Sequence, residues 1–309
     1  MLARFLIAFT SAELALHLLA GLSLAWHFGL PAVCSLPFVL AAALATRSAL
    51  VALSFLLSVH YGNASPAGAR LGIAAKLRLF GGEWLAFVAL FTVLQPLERL
   101  IARLPLGRTE GGESLPVLLI PGLYCNGAVW WWMRRRLRSS GCSAIWTLTL
   151  EPPLASIDDL AQQLSREIAR ICEATGAQRV VLVSHSMGGL VARASLRDAG
   201  TRSRVAKLVA LACPHHGSQL ARWGAGSNAR QLRPDNPWLV ALNGGELGPA
   251  PVPIVSLFSW HDNFVAPQDS PILAHATNVP MSGIGHLSLL FSQRVARRVC
   301  LEVAGAAQT

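Results

Sequence analysis

Two apolar segments of 24 residues stand close together at the start of this 309-residue chain. Phe5 to Phe28 is interrupted only by Glu13, His17 and His27, and Leu36 to Val59 only by Arg47. At about 1.5 Å per residue, either one as a helix crosses a hydrocarbon core of roughly 30 Å. Gly29-Leu30-Pro31 reads as the turn between them, so the pair is expected to form a helical hairpin. A cleaved signal peptide fits poorly: the first run is too long and contains an acid, and Pro31-Ala32-Val33-Cys34 lacks the small residue that precedes a lipoprotein cysteine. Glu13 and Arg47 are each 17 residues from Leu30, which places them at one depth. They are expected to pair, because an isolated Arg at mid-membrane costs roughly 2.5–3.5 kcal/mol on insertion scales.

A third apolar run, Trp84 to Leu97, has only 14 residues and is bounded by Glu83 and by Glu98-Arg99. That length suits an interfacial helix better than a spanning one. Basic residues flank it on both sides, with Arg70, Lys76 and Arg78 before it and Arg99, Arg103 and Arg108 after it. The positive-inside rule then puts both flanks, and the rest of the chain, on the cytoplasmic side of a membrane, expected to be a bacterial inner membrane. Were the run to span, the downstream residues would face the other way.

Composition divides the chain near residue 110 into an expected membrane-anchoring helical region (1–110) and a second domain (111–309). With 53% apolar and 14% charged residues the chain is not disordered. The first part has 8 basic and 4 acidic residues and the second 18 and 12, so the net charge of +10 is spread along the chain rather than gathered into a nucleic-acid footprint. A basic balance also favours an anionic membrane surface as partner. The six cysteines are scattered without a CxxC pair, which indicates neither a zinc site nor a dense disulfide framework.

From Leu115 onward, short β-rich runs alternate with helical stretches. Strands are expected at 116–120, 144–150, 179–183, 205–211 and 252–259, with helices at 157–174 (N-capped by Ser156, followed by Gly176) and 187–198. Such alternation predicts an α/β fold with a mostly parallel sheet. Between the third strand and its helix stands Ser184-His185-Ser186-Met187-Gly188-Gly189. A strand-to-helix turn of the G-x-S-x-G kind holds a serine hydroxyl out of the backbone as a nucleophile, and small neighbours let the strand and helix come close. Ser184 replaces the first Gly, and Ser186 is the candidate nucleophile.

A serine needs a base oriented by a carboxylate, in the chain order Ser, Asp or Glu, His. His185 must diverge from Ser186 at the turn, and His215 and His216 come too early. His286 follows the Gly-rich Ser282-Gly283-Ile284-Gly285, where a base reaching over the sheet belongs. Asp262 lies in the loop at the carboxyl end of the last expected strand, where catalytic groups of open α/β sheets collect; Asp269 and Asp235 are weaker candidates. For the oxyanion, the expected donors are the N–H of Met187, next after the nucleophile, and that of Leu123 in Ile120-Pro121-Gly122-Leu123-Tyr124.

On these residues the chain resembles bacterial triacylglycerol lipases and related esterases of the α/β-hydrolase superfamily, including the GPI inositol-deacylase-like branch. The resemblance covers roughly residues 115 to 300. It rests on the run from Ser184 to Arg193, on Cys213-Pro214-His215-His216-Gly217-Ser218, and on Asp262 with Val265 and Pro267. Leu232-Arg233-Pro234 with Trp238, Leu239, Leu242 and Asn243 is similar to the cap helix of these enzymes, within a small cap expected at 217–245. Departures are Ser184 for Gly, Cys213 for Thr and Pro121 for the usual His before Gly122. The resemblance implies a serine ester hydrolase for lipid or lipophilic esters, with no cofactor or metal. A thioesterase or acyltransferase would use the same triad, and a non-catalytic membrane-bound binding protein is the competing class. Trp130-Trp131-Trp132 followed by arginines cannot all face one core, because successive helical residues point about 100° apart. They are expected either to offer a ring to a bilayer interface or to bury two rings and leave one incidental.

Overall fold

The computed structural model describes residues 1–63, 66–103, 115–245 and 252–306. The expected boundary near residue 110, and Arg108, lie outside the described residues.

The apolar segments form helices α1 (Leu2–His27) and α2 (Ser35–Tyr61), joined through Gly29 at φ +64°. Gly21 lets them come together, since a Cβ there would lie 2.9 Å from the Phe38 ring. Arg47 donates to the Glu13 carboxylate across the hairpin, and His17 lies 3.4 Å from the same oxygen.

The third apolar run is the second half of a longer helix than its composition suggested. Helix α3 (Ile73–Val88) continues as a π-helical stretch, Ala89–Leu94, and α4 (Glu98–Arg103) follows. Glu83, expected to mark an edge, instead lies inside α3 and is fully buried. By length and composition the helices at Leu2–His27, Ala32–Tyr61 and Ile73–Leu94 can each cross a membrane.

The remainder builds a sheet of six parallel strands in the order β2-β1-β3-β4-β5-β6. In chain order these are β1 (Val117–Ile120), α5 (Trp131–Ser139), β2 (Ile145–Thr147), α6 (Ile157–Thr175), β3 (Val180–His185), α7 (Met187–Ser195), α8 (Ala199–Ser203) and β4 (Val205–Leu211). Then come α9 (Ser227–Gln231), α10 (Pro237–Gly244), β5 (Ile254–Ser259), β6 (Thr277–Met281) and α11 (Gln293–Gly305). Strands β1 and β3 are buried along their whole length, as a sheet covered on both faces requires. Leu118, Ile120, Leu182 and Leu208 pack on one side with α6 and α7. Val117, Leu119, Val181 and Val183 pack on the other with α5, α11, Ala86 of α3 and Leu90 and Leu94 of the π-helical stretch that continues it. Helix α3 therefore shares the core of the sheet layer. Helix α6 is capped as expected, with Ser156 accepting the Asp159 N–H and Gly176 left-handed at φ 72°.

Candidate active site

Residues at the carboxyl ends of β1, β3 and β5 converge at the switch point, where strand order turns back between β1 and β3. Ser186 occupies a strained turn between β3 and α7, at φ 52° and ψ −127°, and its N–H donates to the Leu211 carbonyl at 2.8 Å. The glycines after it are sterically required. A Cβ on Gly188 would lie 2.6 Å from the Pro121 carbonyl oxygen, and one on Gly189 would lie 2.5 Å from Cys213 Sγ. Ser184, in place of the usual glycine, is small enough to be fully buried beneath the turn.

Asp262 follows β5 in a loop that uses both of its oxygens. Oδ1 accepts the N–H groups of Phe264 and Val265, each at 2.8 Å, while Oδ2 faces His286 Nδ1 at 2.8 Å. Both side chains are buried. Burial pulls the His286 imidazole down, but the charge and hydrogen bond of Asp262, aided by the charge of Glu83, outweigh it and hold His286 above its ordinary value. Ser186 and His286 border the same cavity. The weaker acid candidates are elsewhere: Asp269 accepts from Asn63 Nδ2 at 2.6 Å, and Asp235 sits at φ 63° between α9 and α10. His185 diverges as expected, its Nε2 lying 3.1 Å from the His286 carbonyl oxygen, and burial followed by the neighbouring His286 keeps it well below the usual histidine range.

The loop after β1 presses against the nucleophile, because a Cβ on Gly122 would lie 2.9 Å from Ser186 Cβ. Leu123 follows on the wall of the cavity, and Met187 begins α7, where the first N–H groups lack intrahelical partners. Tyr124, at φ 54°, exchanges hydrogen bonds with the backbone of Ala225 at 2.6 and 2.7 Å, tying this loop to the 217–245 segment.

Four residues that carry this geometry were not singled out from the sequence as functional. Asn263 Oδ1 accepts the His286 N–H at 3.0 Å, and its Nδ2 donates to Ser54 in α2 at 2.7 Å. Ser58, one turn further along α2, donates to the Asp262 carbonyl. Gln95, just past the π-helical stretch, accepts the Asn126 N–H and so supports the loop after β1. The available signal was Ser54 and Ser58 at i, i+4 spacing in an apolar helix, one polar face without an assigned partner.

The PGAP1-like alpha/beta domain matches residues 155–232. No curated protein matches the sequence. Among solved structures, Bacillus licheniformis lipase BlEst2 in its mature form is similar at 18% identity and a TM-score of 0.57, covering 64% of this chain and 95% of that one. Aspergillus fumigatus lipase B is similar at 15% identity and a TM-score of 0.59, covering 85% and 81%.

The fold is that of the α/β-hydrolases.

In this hydrolase fold the cavity beside Ser186, of about 330 Å³, is closed on one side by the N-terminal helices: Leu50, Leu53 and Leu57 from α2, Phe87 from α3 and Phe91 from the π-helical stretch that continues it. Trp223, 72% exposed, stands at its border. The three tryptophans divide unequally. Trp130 is fully buried, while Trp131 and Trp132 are half-buried under the guanidinium groups of Arg135 and Arg136, at 5.2 and 4.8 Å from the ring centroids. Among the described residues no group of three or more His, Cys, Asp and Glu side chains is arranged to hold a metal ion.

Proposed function

We propose that this protein is a membrane-anchored serine hydrolase that cleaves carboxylic esters of lipids or lipophilic molecules through an acyl-enzyme. The observation that carries this reading is the buried His286–Asp262 pair on the same apolar cavity as the strained Ser186 turn. In the proposed reaction His286 takes the Ser186 proton as Oγ attacks the ester carbonyl carbon. Asp262 holds Nδ1–H in the correct tautomer and stabilises the imidazolium that forms. The N–H groups of Leu123 and Met187 receive the oxyanion. Collapse of the tetrahedral intermediate breaks the C–O bond, and His286 protonates the departing alcohol. Water, deprotonated by His286, then releases the acid from Ser186.

The aliphatic and aromatic walls favour an acyl chain over a polar leaving group. Because α2 contributes one of those walls and exposes Leu56 (68%) and Val59 (81%) elsewhere on its surface, a lipid substrate has a short path from the bilayer. Both ends of the hairpin return to the hydrolase: the Met1 amine pairs with Glu151, and Ser58 reaches Asp262. These contacts support a topology in which the N-terminus and the hydrolase share one side, and the basic residues Arg4, Arg70, Lys76 and Arg78 favour the cytoplasm for that side. An interfacial rather than spanning α3 is supported by its buried Glu83, which bonds the backbone of residues 287 and 288 and so holds the helix against the hydrolase.

The test is hydrolysis of an ester series of increasing chain length by the full-length protein, with fluorophosphonate labelling of Ser186. Labelling lost in Ser186→Ala, and a chain-length optimum that shortens in Leu53→Trp, support this reading. An unlabelled wild type would leave the binding protein as the better account, while thioester or acceptor-dependent turnover would identify the thioesterase or acyltransferase.

A further inference from the structure

Glu83 is a carboxylate with 0% exposure on a helix of the N-terminal region, and its two oxygens are directed at the backbone of the His286 loop. Oε1 accepts the Leu287 N–H and Oε2 the Ser288 N–H, both at 2.9 Å. Both oxygens act as acceptors, which favours the carboxylate, against a complete burial that pushes the carboxyl above its ordinary value. The loop is shaped around it, since a Cβ on Gly285 would lie 2.3 Å from Oε2 and 2.7 Å from Cδ. On its other side the His286 peptide is held by Asn263, which accepts the His286 N–H. Burying a carboxylate is costly unless strong donors replace its water, and here the donors are the two peptide groups directly after the candidate base.

We infer that Glu83 is a positioning residue for His286: through the Leu287 and Ser288 N–H groups it fixes the loop that aims the imidazole at Ser186. This rests on the serine hydrolase reading and adds a role that the triad does not contain. It makes the N-terminal region part of the catalytic geometry rather than only an anchor, because the seating of α3 sets the position of the base. The ionisable groups facing Glu83 from neighbouring elements are His286 and Asp262, and His286 is in turn faced by Asp262, Glu83 and His185.

The experiment uses the full-length protein in detergent micelles with a short-chain p-nitrophenyl ester, each variant being titrated to completion with a fluorophosphonate so that rates refer to intact sites. Glu83→Gln keeps the volume and one accepting oxygen but removes the charge, and Glu83→Leu removes both acceptors. Misplacement of a base on the scale of an ångström costs about a hundredfold, so Glu83→Leu should lower kcat by that order and Glu83→Gln by roughly tenfold, with KM within about threefold of wild type. The acid limb of kcat/KM in Glu83→Gln should move to lower pH, since the lost charge had favoured protonated His286. A merely structural glutamate would reduce the amount of titratable protein and leave that limb in place. Wild-type kcat per site and an unmoved limb in Glu83→Gln would overturn the inference, whether or not Glu83→Leu folds. A wild type that neither labels nor hydrolyses esters would overturn the hydrolase reading together with it.

Discussion

Ser58 in α2 donates its hydroxyl to the carbonyl oxygen of Asp262, 2.8 Å away in space and 204 residues later in the chain. The same hydroxyl accepts from Gln268 Nε2 at 2.7 Å, and one turn earlier Ser54 accepts from Asn263. The loop bearing the candidate acid is thus supported by a helix that composition alone assigns to a membrane. All of these groups are buried, so losing one partner leaves another unsatisfied.

Ser58→Ala should therefore destabilise the full-length protein by about 1–3 kcal/mol, the cost of an orphaned buried polar group. Thermal unfolding in micelles checks this. A transition at the wild-type temperature would mean that water replaces the hydroxyl.

Triad members act as a unit, and their losses do not add. Ser186→Ala, His286→Ala and Asp262→Ala should each lower ester hydrolysis by about a thousandfold or more, with double variants little worse than singles. Asp269→Ala, on the Asn63 side of the loop, should stay within about threefold of wild type. Full activity in Asp262→Ala would remove Asp262 from the mechanism.

In the proposed mechanism the neutral form of His286 is the base, so kcat/KM should fall as pH drops through its pKa, with the midpoint above the ordinary histidine value. The stability sign runs with the same shift. A group raised on folding contributes stability that is full below its unfolded value and is lost as pH rises through the folded one. Thermal stability attributable to the Asp262–His286 pair should thus be larger on the acid side, and Asp262→Asn should flatten that dependence.

Glu13 and Arg47 meet across the hairpin. Glu13→Gln should lower the membrane-inserted, protease-resistant yield, because an unpaired Arg at that depth costs roughly 2.5–3.5 kcal/mol. The exchange Glu13→Arg with Arg47→Glu should restore it. Yields for the exchange no better than for either single change would show that depth alone, without pairing, sets insertion.

What was legible in the sequence was local. The strand, the turn at Ser186 and its helix occupy adjacent residues, and the glycines at 188 and 189 leave few other reasons to stand there. The apolar hairpin is likewise visible in a window of one helix length, and the Glu13–Arg47 pair follows from counting residues on either side of one turn. The neighbours of His286 and Asp262 were decided by tertiary structure. Glu83 looked like the edge of a short apolar run because hydropathy along a helix cannot tell lipid from a protein core, and α3 packs into that core. The i, i+4 spacing of Ser54 and Ser58 marks one polar helix face, but neither it nor Gln95 says which distant loop is the partner. Strand β6 was also missed, being a half-exposed edge strand with Pro280 in it, where neither alternation nor an apolar run survives. Local patterns report the backbone state of a segment; which face of it meets which loop depends on packing between residues far apart in sequence, and that packing appears only once the chain has folded.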